Sequence, residues 1–213
     1  ITSNPVIAHH YAKMCFAMIK DDLNNNNKLK KDSCYYILEL GTGSGQFSHY
    51  FLTFFTELIE DFNLDINYCY VMTDFTESNV KYWKQHPKLK EFVKKGVLDF
   101  AIYNLETQNK IKLINKGIVL DQSIVKLPVT IIANYIFDTV LHDAFRVESG
   151  QLYEAKASFS TTYNNFDENS FRPKKLEDIT TDFSYAKIDS KKGYYFNNNS
   201  NNNSNNNSNN SFD

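Results

Sequence analysis

Apolar residues at Val6, Ala8, Ala12, Cys15, Phe16 and Ile19 recur every three or four positions. This spacing lines one face of a helix. Asn4 and Pro5 stand where a cap and a first helical residue belong, so "NPVIAHHYAKMCFAMIKDDL" reads as a helix. From residue 35 the pattern becomes a strand–helix rhythm. "YYILEL" is a continuous apolar run, and "FSHYFLTFFTELIEDF" is an amphipathic helix. "INYCYVMTD" is a second run, ending at Asp74. "TESNVKYWKQHPKLKEFVKKG" reads as helical, broken at Pro87 and stopped at Gly96. "VLDFAIYNLE" and "PVTIIANYIFD" are the third and fourth strand candidates, and "TVLHDAFRV" is read as a short helix after them. "GQLYEAKASFSTTY" and "DITTDFSYAKI" alternate with period two, as a fifth and sixth strand would.

Strands joined by helices imply an α/β fold: a Rossmann-like, doubly wound, mostly parallel sheet in three α/β/α layers, with helices on both faces. The early runs are apolar throughout, as strands covered on both faces should be. Ligands of such sheets bind beyond the carboxyl ends of the strands, which is where chemistry is to be sought.

Two low-complexity stretches punctuate the pattern, Asn24–Asn27 and "NNNSNNNSNNNSNN" over 197–210. Such tracts bury no apolar surface and are expected to be disordered. The folded domain is therefore placed at residues 1–196, followed by an Asn/Ser-rich segment at 197–213. The chain opens on Ile1 and closes near the Asn tract. It is read as an excerpt of a longer protein that carries only part of the domain.

Composition narrows the class. With 213 residues and 42% apolar content, the chain suits one domain with a full core. Twenty-three basic against 25 acidic residues leave no electrostatic footprint for nucleic acid. Cys15, Cys34 and Cys69 are odd in number, far apart and free of CxxC spacing. A disulfide framework or zinc site is not indicated, and an intracellular compartment, cytoplasmic or mitochondrial, is the simpler reading. No apolar run approaches membrane-spanning length. Adjacent His9 and His10 point in different directions on a helix, so they make no metal pair; no metal site is expected. His142 and Asp143 lack a recognisable nucleophile for a hydrolase triad.

The chemistry concentrates in Glu39-Leu40-Gly41-Thr42-Gly43-Ser44-Gly45. A phosphate-binding loop needs a Lys and a Ser or Thr after its last glycine, and here Gln46 and Phe47 follow. The dinucleotide fingerprint is G-x-G-x-x-G, and this loop is one residue shorter. Glu39 ahead of the turn disfavours a pyrophosphate and favours a cationic group.

The combination E-x-G-x-G-x-G closing a first strand resembles the cofactor motif of class I S-adenosylmethionine-dependent methyltransferases. That resemblance implies roles for Glu39 toward the methionine amino end and for Gly41, Gly43 and Gly45 in the turn beneath the cofactor. It implies Asp74 on the ribose hydroxyls, Phe75 on the adenine ring and Asn104 at the adenine amino group. The family usually has Asp where Asn104 stands, and Asp99 is a poorer stand-in because it lies within the strand. The fourth strand end, "ANYIFD", would face the methyl acceptor, with Asn134, Tyr135 and Asp138 as candidate catalytic residues. "NYIFD" is similar to the "NEFFDALP" segment of MidA-like arginine methyltransferases, with Tyr135 where they carry Glu and without the Pro of their glycine loop. "ITSNP", "ILELGTGSGQF", "MTDFTESNVKYW" and "ANYIFD", in this order, resemble a group of methyltransferase-like proteins without an assigned acceptor, over roughly residues 1 to 190. The family's early helix often lids the cofactor, which makes Tyr11 a candidate contact, although packing is preferred for it. The family's antiparallel C-terminal hairpin either begins in "DITTDFSYAKI" or lies beyond residue 213; the second is preferred.

The expected function is methyl transfer from S-adenosylmethionine to a protein or small-molecule nitrogen, without a metal. A methyltransferase-like binding or assembly module without turnover is the first alternative. A nicotinamide-dependent oxidoreductase is the second.

Overall fold

The computed structural model describes residues 4–25, 33–161 and 179–188. The chain divides into two compact units, Ile1–Leu141 and His142–Asp213, each described here by itself.

The first unit opens with helix α1, Pro5–Asn25, capped where Asn4 Oδ1 accepts the Val6 N–H at 2.8 Å. Ala8, Ala12, Cys15, Phe16 and Ile19 are buried as their spacing requires, whereas Val6 is exposed. Asn24 and Asn25 belong to the last turn of this helix; the rest of that Asn run lies outside the described residues. Strand β1 (Cys34–Glu39) leads to α2 (Gln46–Asp61), β2 (Asn67–Asp74), α3 (Glu77–Gln85), α4 (Pro87–Lys94) and β3 (Leu98–Ile102). Pro87 cannot continue α3 but suits the first position of α4, hence the break between them.

A four-stranded parallel sheet results in the order β3-β2-β1-β6, with β6 at Thr130–Ile132. β6 joins the opposite side of β1 from β2, so a topological switch point lies between β1 and β6. One face of the sheet, carrying Tyr35, Ile37, Tyr70 and Met72, packs with α1, α2, α3 and α4 in one core. On α2, Phe47, Phe51, Leu52 and Phe55 fall on one helical face and are buried. Each contributes roughly 1.5–3 kcal/mol.

The other face shows Tyr36, Leu38, Cys69, Val71 and Ala101. It is covered by the return segment from β3 to β6, whose short strands β4 (Ile111–Lys112) and β5 (Val119–Leu120) pair antiparallel. Helices were expected on both faces, but among the described residues of this unit all four lie on one. The return segment carries Leu113 into the core and is held by the buried Asp99 carboxylate. That carboxylate accepts the N–H groups of Phe100, Asn115 and Lys116 at 2.7, 2.8 and 3.0 Å.

In the second unit β7 (Phe145–Glu148), β8 (Gln151–Thr161) and β9 (Ile179–Lys187) form a three-stranded antiparallel sheet. The helix expected over "TVLHDAFRV" does not form; its last residues belong to β7. Ser149 and Gly150 have φ of 49° and 75°, the left-handed pair that closes a two-residue hairpin turn, and Glu148 pairs with Gln151. That closure pulls 145–148 into a ladder with β8. β8 and β9 form the two alternating segments as expected, but as an antiparallel pair rather than as further strands of the parallel sheet. Tyr153, Ala155, Ala157 and Phe159 share a face with Lys187, Tyr185, Phe183 and Thr181. Residues 197–213 lie outside the described residues. Among the described residues, no helix is long and apolar enough to cross a membrane.

Candidate functional site

The glycine loop is strung between the carboxyl ends of β6 and β2, the two strands that flank β1. Leu40 N–H donates to Ile132 O at 2.8 Å on the β6 side, and Thr42 N–H donates to Thr73 O at 2.9 Å on the β2 side. At the far end Gly45 precedes α2 with φ of 78°. A Cβ there would sit 2.8 Å from Met72 Cε and 3.3 Å from Trp83 Cδ1, so a side chain would have to displace both at a φ that already favours glycine. Gly43 is held on both sides of its backbone. Its N–H donates to Asp74 Oδ2 at 3.1 Å, and its carbonyl accepts from Trp83 Nε1 at 2.8 Å. A Cβ on Gly43 would meet nothing within 4 Å.

A cavity of about 360 Å³ opens over this loop at the switch point, where open α/β sheets receive ligands. Glu39, Gly41, Gly43, Asp74, Phe75, Asn134 and Tyr135 all line it. Seven of the ten residues singled out from the sequence therefore converge on one space. Gly45 is buried behind the loop and lines neither this cavity nor the next. A second cavity of about 360 Å³ shares Leu40, Gly41, Phe75, Ile136 and Thr139 with the first and adds Tyr103, Asn104 and Glu106. Asn104 thus belongs to the neighbouring space; its Oδ1 accepts the Glu106 N–H at 2.9 Å. Among the described residues, no Lys, Arg or His lines either cavity, whereas Glu39, Asp74 and Glu106 do.

Glu39 is the last residue of β1 and is buried. Its Oε2 accepts the hydroxyl of Ser48, in the first turn of α2, and that of Tyr70 on β2, the latter at 2.9 Å. Burial pushes this carboxyl up to about 7, against the lowering effect of the Ser48, Tyr70 and Thr42 hydroxyls. Asp74 uses both oxygens: Oδ2 takes Gly43 N–H and, at 2.9 Å, Asn79 Nδ2, while Oδ1 takes Thr76 N–H at 2.9 Å. Asp74 therefore closes the loop and caps the approach to α3 with the same carboxylate. A carboxylate offers about four acceptor sites, which leaves room for one further donor.

The fourth strand end presents Asn134, whose Oδ1 accepts the Tyr11 hydroxyl at 2.9 Å. Tyr11 also packs edge-on against Phe47 at 5.5 Å between ring centroids, so this α1 tyrosine supports two residues of the cavity lining, Asn134 and Phe47. Tyr135 adopts φ of 56° and is exposed, and Ile136 Cδ1 lies 2.8 Å from where a Gly41 Cβ would project. Asp138 is exposed and lines neither cavity, so the structure does not bring it to the site. Asp99 faces the return segment instead, in keeping with its place inside β3. Among the described residues, no three His, Cys, Asp or Glu side chains group as metal ligands would.

Sequence reasoning did not single out Ser48, Tyr70, Trp83, Ile136 or Thr139. Ser48 and Tyr70 carry no motif. Only the β1–β2 register, which pairs Ile37 with Tyr70, and the direction of α2 bring their hydroxyls to Glu39. No protein-family model, curated protein or solved structure matches the chain.

Proposed function

We propose that the first unit binds S-adenosylmethionine and transfers its methyl group to a nitrogen acceptor on a protein or small molecule. The observation that carries this reading is the lining of the switch-point cavity: a glycine turn flanked by the carboxyls of Glu39 and Asp74, with no basic side chain among the described residues. Such a lining repels a pyrophosphate and attracts a cation, and Asp74 keeps an acceptor site for one ribose hydroxyl. The same lining disfavours the nicotinamide-dependent alternative.

When bound, the cofactor supplies a methyl group already activated on a sulfonium. The chain then contributes mainly orientation and exclusion of water. Glu39 holds the ammonium end and Asp74 one ribose hydroxyl. Phe75 and Asn104 line the adjoining space, to which this reading assigns the base. Asn134, steadied by Tyr11, holds the acceptor nitrogen through its carbonyl oxygen. On this reading the parallel sheet is the centre of a Rossmann-like, doubly wound, three-layer fold.

A second reading, a cofactor-binding or assembly module without turnover, draws on the position of Asp138 outside both cavities, which leaves the acceptor side without a carboxylate of its own. Calorimetric titration with S-adenosylmethionine and S-adenosylhomocysteine tests the cofactor; no binding to folded protein would sink the enzyme and the cofactor-binding module and leave only the assembly module. Radiolabelled methyl transfer to lysate proteins and metabolites then separates the enzyme from the module.

A further inference from the structure

We propose that Ser48 and Tyr70 are positioning residues: a two-hydroxyl clamp that seats the Glu39 carboxyl at the cavity floor and thereby sets the pH range in which the site takes up a ligand ammonium group. The proposal rests on the cofactor reading above and adds regulation of that same site.

Three observations support it. First, both hydroxyls converge on Oε2, from two different elements, α2 and β2. Glu39 is fixed at one oxygen and keeps the other for a ligand. Second, all three groups are buried: Ser48 and Tyr70 at 0% exposure and Glu39 at 6%. Water therefore does little to stabilise an ionised Glu39, and the two O–H donors are its principal support. Third, no cationic side chain among the described residues faces it. Tyr70 on β2 is titratable, but burial and then Glu39 itself hold its ionisation well above the usual range. Beyond it on α1 the Cys15 thiol is pushed by burial up to about 11. Across the cavity stands Asp74, and the glycine loop adds only the Thr42 hydroxyl. These described surroundings leave the positive partner of an ionised Glu39 to the ligand.

The chemistry is an exchange of one proton for one cation. The neutral carboxyl releases its proton to solvent as the ammonium approaches, and the carboxylate so formed keeps the two hydroxyl donors. Ligand binding is favoured where Glu39 ionises readily and weakened where it stays protonated. Loss of either hydroxyl removes a donor to the ionised form and moves ionisation to higher pH.

The test uses the full chain and S-adenosylhomocysteine, with 5′-methylthioadenosine, which lacks the amino-acid end, as comparison ligand. Affinity is measured by calorimetry from mildly acidic to mildly alkaline pH, with circular dichroism to verify folding. Wild-type affinity for S-adenosylhomocysteine is expected to rise about tenfold through neutrality and then level off, while that for methylthioadenosine stays flat. Tyr70→Phe and Ser48→Ala are each expected to move the rise upward by about one pH unit and to recover wild-type affinity at the alkaline end. Should one variant fail to fold, the other carries the comparison. A folded variant whose profile drops uniformly without moving overturns the clamp and leaves the cofactor reading standing. So does a flat wild-type profile, or one shared by both ligands. Folded wild-type protein that binds neither ligand at any pH overturns the clamp and the cofactor reading together.

Discussion

The Asp74 carboxylate accepts the Gly43 N–H at 3.1 Å and so ties the end of β2 to the turn that leaves β1. The bond makes the glycine loop and the second strand end one object. With Asn79 and Thr76 on the same carboxylate, the start of α3 is tied in as well.

Asp74→Asn tests this arrangement. The amide keeps one acceptor oxygen and presents an NH₂ to donors that need acceptors. At least one of the Gly43, Thr76 and Asn79 donors is then stranded. Hydrogen bonds to a charged group contribute about 1.5–3 kcal/mol, so urea unfolding should register a loss of that order. Affinity for S-adenosylmethionine should fall by at least about tenfold, since the same residue is proposed to hold the ribose. Unchanged stability would mean that the loop does not depend on this carboxylate.

Gly43→Ala and Gly45→Ala should part company. Both positions are left-handed, with φ of 61° and 78°, which costs a non-glycine residue roughly 1–2 kcal/mol. At Gly43 the new methyl meets nothing within 4 Å, and that cost is the whole penalty. At Gly45 the methyl collides with Met72 and the Trp83 ring, which adds roughly 1–3 kcal/mol. Thermal melts should therefore rank Gly45→Ala below Gly43→Ala. Cofactor titration should hit Gly43 harder than its stability loss suggests, because its open side faces the cavity, and Gly43→Arg should abolish binding altogether.

The pH dependence of stability reports on Glu39. Its folded carboxyl ionises near 7, above the ordinary 4.5, so between these values the folded chain holds more protons than the unfolded chain. Stability from this group falls as pH rises through that window and is level above it. Relative to wild type, Glu39→Gln should gain about 3 kcal/mol between pH 4.5 and 7. Urea titrations at several pH values would show it, and a constant gap would contradict the burial argument.

Much of the first unit was legible because its elements are locally consistent. The runs ending at Glu39 and Asp74 are apolar on both faces, and α1 and α2 keep helical spacing. Glu39, Asp74 and Asn134 could be placed near one another because strand ends share an edge. What failed had non-local causes. "TVLHDAFRV" has helix-compatible spacing, yet Ser149-Gly150 turns the chain back and pairs Phe145 with Glu154. The covering of the second sheet face hangs on Asp99, whose bonds to Asn115 and Lys116 span 16 and 17 residues. The clamp on Glu39 could not be read at all, since serine and tyrosine are common residues and only strand register makes them neighbours.

The last prediction uses the chain's one tryptophan. Trp83 is fully buried, and its Nε1–H donates to the Gly43 carbonyl at 2.8 Å, directly behind the turn that faces the cavity. Any ligand that presses on the loop from the open side of Gly43 must alter the length or polarisation of this bond, and indole emission responds to both. Excitation at the red edge, where the fourteen tyrosines do not absorb, isolates Trp83. Titration with S-adenosylhomocysteine should produce a saturable emission change in the wild type and none in Gly43→Arg. Trp83→Phe keeps the packing against Phe100 but loses the bond, which leaves the Gly43 carbonyl without this donor. Its affinity should drop by roughly three- to tenfold, in line with one hydrogen bond of about 1 kcal/mol. If the emission change persists in Gly43→Arg, the ligand acts elsewhere and the glycine loop is not its seat.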